Sequence, residues 1–174
     1  MDGSRAPLPA AVDAVRTLRA RQWTVGTAES LTAGLLAATI ADVPGASAVL
    51  RGGLIVYATD LKHVLAGVPE DVLGRHGAVS AETARALATG AARRCAADVG
   101  IGLTGVAGPD RQEGHPVGTV HVGLSVAGRD PWSVELLLAG DRGQIRVAAC
   151  AAALELLVNL AAGGDDDTGN ESGR

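Results

Sequence analysis

Trp23-Thr24-Val25-Gly26-Thr27-Ala28-Glu29-Ser30-Leu31-Thr32-Ala33-Gly34 is the stretch on which the fold turns. Trp23 to Ala28 reads as a short strand, and Ser30 opens a helix that runs to about Ala41, where Pro44-Gly45 breaks it. A strand feeding directly into a helix is the repeating unit of an α/β layer. Outward from this unit the pattern continues. Before it, Leu8 to Ala20 places Val12, Val15 and Leu18 on one helical face. After it, Ala48 to Tyr57 reads as a second strand, in which Gly52-Gly53 marks a bulge or a close backbone approach. Asp60 to Ala66 and Pro69 to Arg75 read as short helices, and Ser80 caps a long helix through Ala97. Val99 to Leu103 is a third strand ending in the loop Thr104 to Pro109. Val117 to Val126 and Trp132 to Leu138 form a hairpin across Ala127 to Pro131. Asp141 caps a last helix to about Ala161. The expected fold is a three-layer α/β/α sandwich with a mixed, mostly parallel sheet that includes the C-terminal hairpin. Residues 1–162 make one domain, and the Gly- and Asp-rich residues 163–174 are expected to be a disordered acidic tail.

Composition narrows the function classes. The chain has 174 residues, 47% of them apolar, with no Phe, so its core is built of Ala, Val and Leu. A net charge of −4 without a basic cluster excludes a nucleic-acid surface built on a Lys/Arg stripe. No apolar run is long enough to suggest a bilayer span, and no secretory signal is expected at the N-terminus. Two distant cysteines, Cys95 and Cys150, fit a reducing cytoplasm rather than a disulfide framework. Among 15 basic residues one is Lys, Lys62, and it stands five positions after the only Tyr, Tyr57. Arg does not lose its proton in a protein, whereas a desolvated Lys does. A chain that otherwise uses Arg and keeps one Lys points to a base or proton shuttle.

Three stretches carry chemistry. Ser30 at a strand-to-helix turn sits at the carboxyl end of the sheet, where open α/β folds bind ligands. It is either the N-cap of its helix or a nucleophile beside unpaired helix N–H groups able to hold an oxyanion or a phosphate. Glu29 is either a solvated charge or a partner for a nearby Lys. In the segment Tyr57 to Lys62, the Tyr and Lys supply the base that a Ser hydroxyl needs, as in Ser-Lys variants of the nucleophile-base pair. The alternative is a strand-end Tyr and a solvated Lys. The Gly-rich loop Thr104-Gly105-Val106-Ala107-Gly108-Pro109 is either an ordinary tight turn or a place where backbone N–H groups approach a phosphate, and it lacks the Lys of a P-loop. Arg142 and Arg146 share a helix face and are available to an anion or to a surface carboxylate. His121, between Val120 and Val122, lines a cleft or faces solvent. The residues call for no metal and no cofactor.

Taken together, these stretches resemble the CinA C-terminal domain family. Thr27 to Gly34 resembles its Ala-Glu-Ser-x-Thr-Gly-Gly motif, and Tyr57 to Lys62 its Tyr-Ser-Asn-x-x-Lys segment. His76 to Ser80, Thr104 to Pro109, Pro116 to Val120, and Gly140-Asp141-Arg142 with Ile145-Arg146 are similar to further blocks in the same order. Ala33, Ala58 and Thr59 depart from the motifs, and the stretch Asp110 to His115 is shorter than usual. The resemblance is to the stand-alone form. It implies a cytoplasmic, homodimeric amidohydrolase that converts nicotinamide mononucleotide to nicotinate mononucleotide and ammonia. Carried over, Ser30 is the nucleophile and Tyr57 and Lys62 transfer protons. Glu29, Thr32, Gly34, Thr104, Gly105, Ala107, Gly108, Arg142 and Arg146 then bind the pyridine nucleotide. The competing readings are a non-catalytic nucleotide- or partner-binding protein and a hydrolase of another small amide.

Overall fold

The computed structural model describes residues 6–163. The elements run α1 (Pro9–Arg21), β1 (Val25–Glu29), α2 (Leu35–Ala41), a 3-10 turn at Ala46–Ala48, β2 (Leu50–Ile55), α3 (Thr59–Val64), α4 (Glu70–His76), α5 (Ala81–Cys95), β3 (Val99–Gly105), β4 (Thr119–Val126), β5 (Trp132–Leu137) and α6 (Arg142–Ala161). One five-stranded sheet has the order β2-β1-β3-β4-β5. β1 is parallel to both β2 and β3, and the two hairpin ladders β3-β4 and β4-β5 are antiparallel. Four strands therefore point one way and β4 alone is reversed. This is the expected mixed α/β sheet with its C-terminal hairpin. The tail from Gly164 lies outside the described residues.

Local chemistry explains most of the element ends. Pro9 occupies the first turn of α1, where a missing N–H is harmless. Ser80 accepts from the Thr83 N–H at 3.1 Å and starts α5 as expected. Asp141 and Gln144 form a reciprocal capping box at the start of α6. One expectation fails. Ser30 does not open a helix: residues 31–34 are turns, and α2 begins at Leu35 after Gly34 at φ 93°. The Glu29 carboxylate, folded back past the turn, caps α2 instead, accepting from the N–H groups of Gly34, Leu36 and Ala37. Near Gly52 a register irregularity does occur between β1 and β2, with Val25 opposite Leu50 and Gly26 opposite Gly52.

Two layers flank the sheet. On one face α1, α2 and α6 pack on Val25, Val99, Ile101, Leu103, Val120, Val122 and Leu124. On the other, α5 crosses β1, β3 and β4 with α3 and α4 beside it. That second face is paved with glycine. A Cβ on Gly100, Gly102 or Gly123 would run into the α5 backbone at Ala88 or Ala84, and one on Gly26 would lie 2.7 Å from Cys95 Cβ. The Val-Gly-Ile-Gly-Leu alternation of β3 thus gives one apolar side and one bare side, onto which an Ala-rich helix settles almost in backbone contact. By length and hydropathy α6 could cross a bilayer. Instead Ile145, Ala149, Cys150, Ala153, Leu154 and Leu157 are buried against α1, α2 and the sheet, as a core helix requires.

Strand order places the site. The chain leaves β1 through α2 on one face to reach β2. It leaves β2 through α3–α5 on the opposite face to reach β3, on β1's other side. The carboxyl end of β1 is therefore a topological switch point, where the two crossovers diverge and leave a crevice.

Candidate active site

Ser30 follows β1 at that crevice. Its N–H is fixed to Leu103 O at 2.9 Å, and the Ser30 carbonyl accepts from Ala33 N–H, so the turn is rigid. Glu29 just before it points the other way, into the α2 layer. It is 1% exposed, and its two oxygens accept from Thr27 Oγ1 and from the N–H groups of Gly34, Leu36 and Ala37, all at 2.9–3.0 Å. Glu29 is thus neither a solvated charge nor a partner of Lys62. It is a buried charge-assisted cap that fixes the turn carrying Ser30. It also occupies the helix-start amides expected to hold an oxyanion. The N–H groups of Leu31 and Thr32, directly after Ser30, have no protein acceptor among the described residues.

Lys62 comes from α3 and is 1% exposed, the largest fully buried side chain among the described residues. Its Nζ donates to Ser30 Oγ at 3.1 Å, Val56 O at 3.0 Å and Tyr57 O at 3.3 Å. None of these acceptors is charged, and burial lowers the Lys62 pKa. The carboxylates of Glu113 and then Asp60 oppose that shift. The solvated-lysine reading does not hold. A buried amine with a lowered pKa, within hydrogen-bond reach of a Ser hydroxyl, has the geometry that a nucleophile and base pair requires.

Tyr57 lies elsewhere in the site than its neighbour in sequence. It is 54% exposed, and its hydroxyl accepts from Arg142 Nη2 at 2.7 Å, while Arg142 Nη1 reaches Gly108 O at 2.7 Å. These three residues form a strap over the rim, joining the end of β2, the loop after β3 and the start of α6. Arg146, one turn further, faces inward: Nε donates to Leu31 O at 3.0 Å and Nη2 to Thr32 O at 2.8 Å. It holds the Ser30 turn from behind. Thr32 Oγ1 is buried without a partner. Thr104 donates to Ala78 O at 2.6 Å and ties β3 to the loop before α5. Gly105 packs against the backbone of Thr119 and Val120, and Ala107 is buried among core residues.

Sequence reasoning missed Glu113. In the turn closed by Gln112 and His115, Glu113 has φ 50° and Gly114 φ 82°, and the Glu113 carboxylate accepts from Val79 N–H at 3.0 Å. The turn thereby covers the loop before α5. The Glu-Gly pair was a legible turn signal, but its reach to Val79 is tertiary.

The sequence profile described as the CinA C-terminal domain matches residues 8–161. The chain belongs to the CinA C-terminal domain family. A CinA-like protein of Frankia casuarinae is 49% identical over 144 residues, 82% of this chain and 33% of that protein. A competence-damage inducible protein of Geobacillus kaustophilus is 45% identical over 144 residues, 80% of this chain and 35% of that protein. The chain thus spans about a third of the length of these curated CinA relatives. A crystal structure of a CinA superfamily protein from Klebsiella pneumoniae superposes with a TM-score of 0.87 at 28% identity, covering 91% of this chain and 99% of that one. The CinA superfamily protein from Escherichia coli gives 0.84 at 30% identity, covering 92% of each chain.

Proposed function

We propose that this CinA-family chain is an amidohydrolase that deamidates nicotinamide mononucleotide to nicotinate mononucleotide and ammonia. The observation that carries the chemistry is the buried Lys62 Nζ at 3.1 Å from Ser30 Oγ. The substrate rests on the motif resemblance, and the cationic rim at Arg142 agrees with a phosphorylated ligand.

In this reading neutral Lys62 takes the Ser30 proton as Oγ attacks the carboxamide carbon. The Leu31 and Thr32 amides face the developing oxyanion, in the position taken by the amide after a nucleophile. Protonated Lys62 then gives its proton to the departing nitrogen, which leaves as ammonia, and an ester to Ser30 remains. Water, deprotonated by the same Lys62, cleaves that ester and releases the carboxylic acid with Ser30 restored. The Tyr57 hydroxyl, polarised by Arg142, is the second proton-transfer group, at the rim rather than at Lys62 Nζ. The same reading puts the reaction in the cytoplasm and the chain in a homodimer; the unpaired thiols of Cys95 and Cys150 support the cytoplasmic assignment.

Incubation of purified protein with nicotinamide mononucleotide, without added metal, tests the reading. Ammonia and nicotinate mononucleotide should appear in equal amounts, and Ser30→Ala should lower turnover at least about a hundredfold while ligand binding persists. An inert wild-type protein that still binds the nucleotide would sink the amidase assignment. Turnover of another amide in its place would change the substrate and keep the Ser30 chemistry.

A further inference from the structure

Ser30, Thr104, His121 and Glu135 stand in one line across the sheet. Glu29 pairs with Leu103 and the ladder continues through the Ser30 N–H bond to Leu103 O, which sets Ser30 beside Thr104. Thr104 in turn pairs with His121, and His121 with Glu135. Residues paired in register project to the same face, here the face under α5. At about 4.8 Å per strand, the Cα of His121 lies roughly 10 Å from that of Ser30. Further along the same face the strands offer Gly102 and Gly123, so this line is where the bare floor ends and polar side chains begin.

Along the line Ser30 and Thr104 are paired and Glu135 is exposed to solvent, which leaves His121. Ser30 meets Lys62, and Thr104 donates to Ala78 O. His121 is 4% exposed, and neither of its ring nitrogens has a hydrogen-bond partner. The His115 ring approaches edge-on, with centroids 6.3 Å apart. A buried imidazole left unpaired on both sides is costly, and a Phe would fill the same space without that cost. A group that arrives with the ligand removes the penalty.

We propose that His121 is a ligand contact, its ring hydrogen-bonding a hydroxyl-bearing part of the substrate carried next to the amide that Ser30 attacks. This rests on the amidase reading above. Burial holds the imidazole below its usual pKa. Glu135 and Glu82 oppose that shift, and His115 adds to it. The neutral ring offers one donor and one acceptor, which matches a hydroxyl able to do both. An anionic group would instead meet the carboxylates of Glu82 and Glu135, so a phosphate belongs at the Arg142 rim and sugar hydroxyls belong at His121.

The test uses wild-type protein with histidine rings labelled with nitrogen-15, titrated with nicotinate mononucleotide. Binding is followed in parallel by calorimetry. The His121 ring nitrogens, assigned by their loss in His121→Phe, should shift on saturation more than those of His63 and His76. In kinetics, His121→Phe should raise KM about tenfold with kcat nearly unchanged, and His121→Gln should recover part of that loss. Should the Phe variant fail to fold, the Gln variant supplies the assignment and the wild-type titration decides. Turnover and binding by wild type with unmoved His121 nitrogens would overturn the contact and leave the amidase reading standing. Neither turnover nor binding by wild type would remove both together.

Discussion

Replacing Lys62 by Met separates what the amine does for chemistry from what it does to the fold. Met fills nearly the same volume, so packing around α3 changes little. It leaves Ser30 Oγ, Val56 O and Tyr57 O without their donor. Each buried acceptor stranded in this way costs about 1–3 kcal/mol. Against that loss, the fold no longer desolvates an amine that is charged in the unfolded chain. The sign of the pH dependence follows from the lowered pKa. Between the folded pKa and the ordinary value near 10.5, the unfolded chain holds a proton on Lys62 that the folded chain does not. Wild-type stability therefore rises with pH through that window by up to about 1.4 kcal/mol per unit, and below it the contribution is flat. The Met variant lacks this rise. Urea unfolding of both proteins from pH 6 to pH 10 should show the difference in unfolding free energy moving in favour of wild type as pH increases. Turnover of the variant should fall by about 10²–10⁴. Parallel stability curves would mean that Lys62 titrates alike folded and unfolded, and the neutral-base argument would fail.

Three further perturbations follow from named contacts. Glu29→Ala strands the amides of Gly34, Leu36 and Ala37 inside the fold and should destabilise by about 3–5 kcal/mol in urea unfolding; a loss under about 1 kcal/mol would contradict the buried-cap assignment. Glu113→Gln keeps an oxygen for Val79 but removes the charge that most opposes the burial-driven lowering of the Lys62 pKa. The acidic limb of kcat/KM should move to lower pH, and an unmoved limb would detach Glu113 from Lys62. Gly123→Ala pushes a methyl group into the α5 backbone at Ala84 and should cost about 1–3 kcal/mol or more, whereas a neutral result would mean that α5 can lift from the sheet.

Alternating hydrophobicity, capping residues and glycine breaks made the elements of the fold legible, because each is a local signal. The cap at Asp141 and the hairpin from Val117 to Leu138 needed no tertiary information. Ser30 shows where such reading ends. Its sequence context fits an N-cap, and nothing local reveals that Glu29 folds back to claim the α2 amides first. Lys62 stood out by rarity alone, while its burial depends on α3 carrying its amine back to Ser30 and to the Val56 and Tyr57 carbonyls. Tyr57 and Lys62, five apart, read as one unit but occupy the rim and the floor of the site. Gly100, Gly102 and Gly123 were visible as strand residues, yet their purpose appears only with α5 laid across them. His121 and Glu113 depend wholly on register and loop docking.

Arg142 and Arg146 give α6 the function of a ruler. One arginine sets the outer edge of the crevice through Tyr57 and Gly108, and the other sets its inner wall through Leu31 and Thr32. Between them lies a single helical turn, about 6 Å of a rod that core packing prevents from stretching. The gap between rim and nucleophile is therefore a dimension written in helix geometry rather than in loop length. Lengthening the 110–116 loop would change what covers the segment before α5, whereas one residue inserted between Arg142 and Arg146 would swing one arginine by about 100° and lose the gauge altogether.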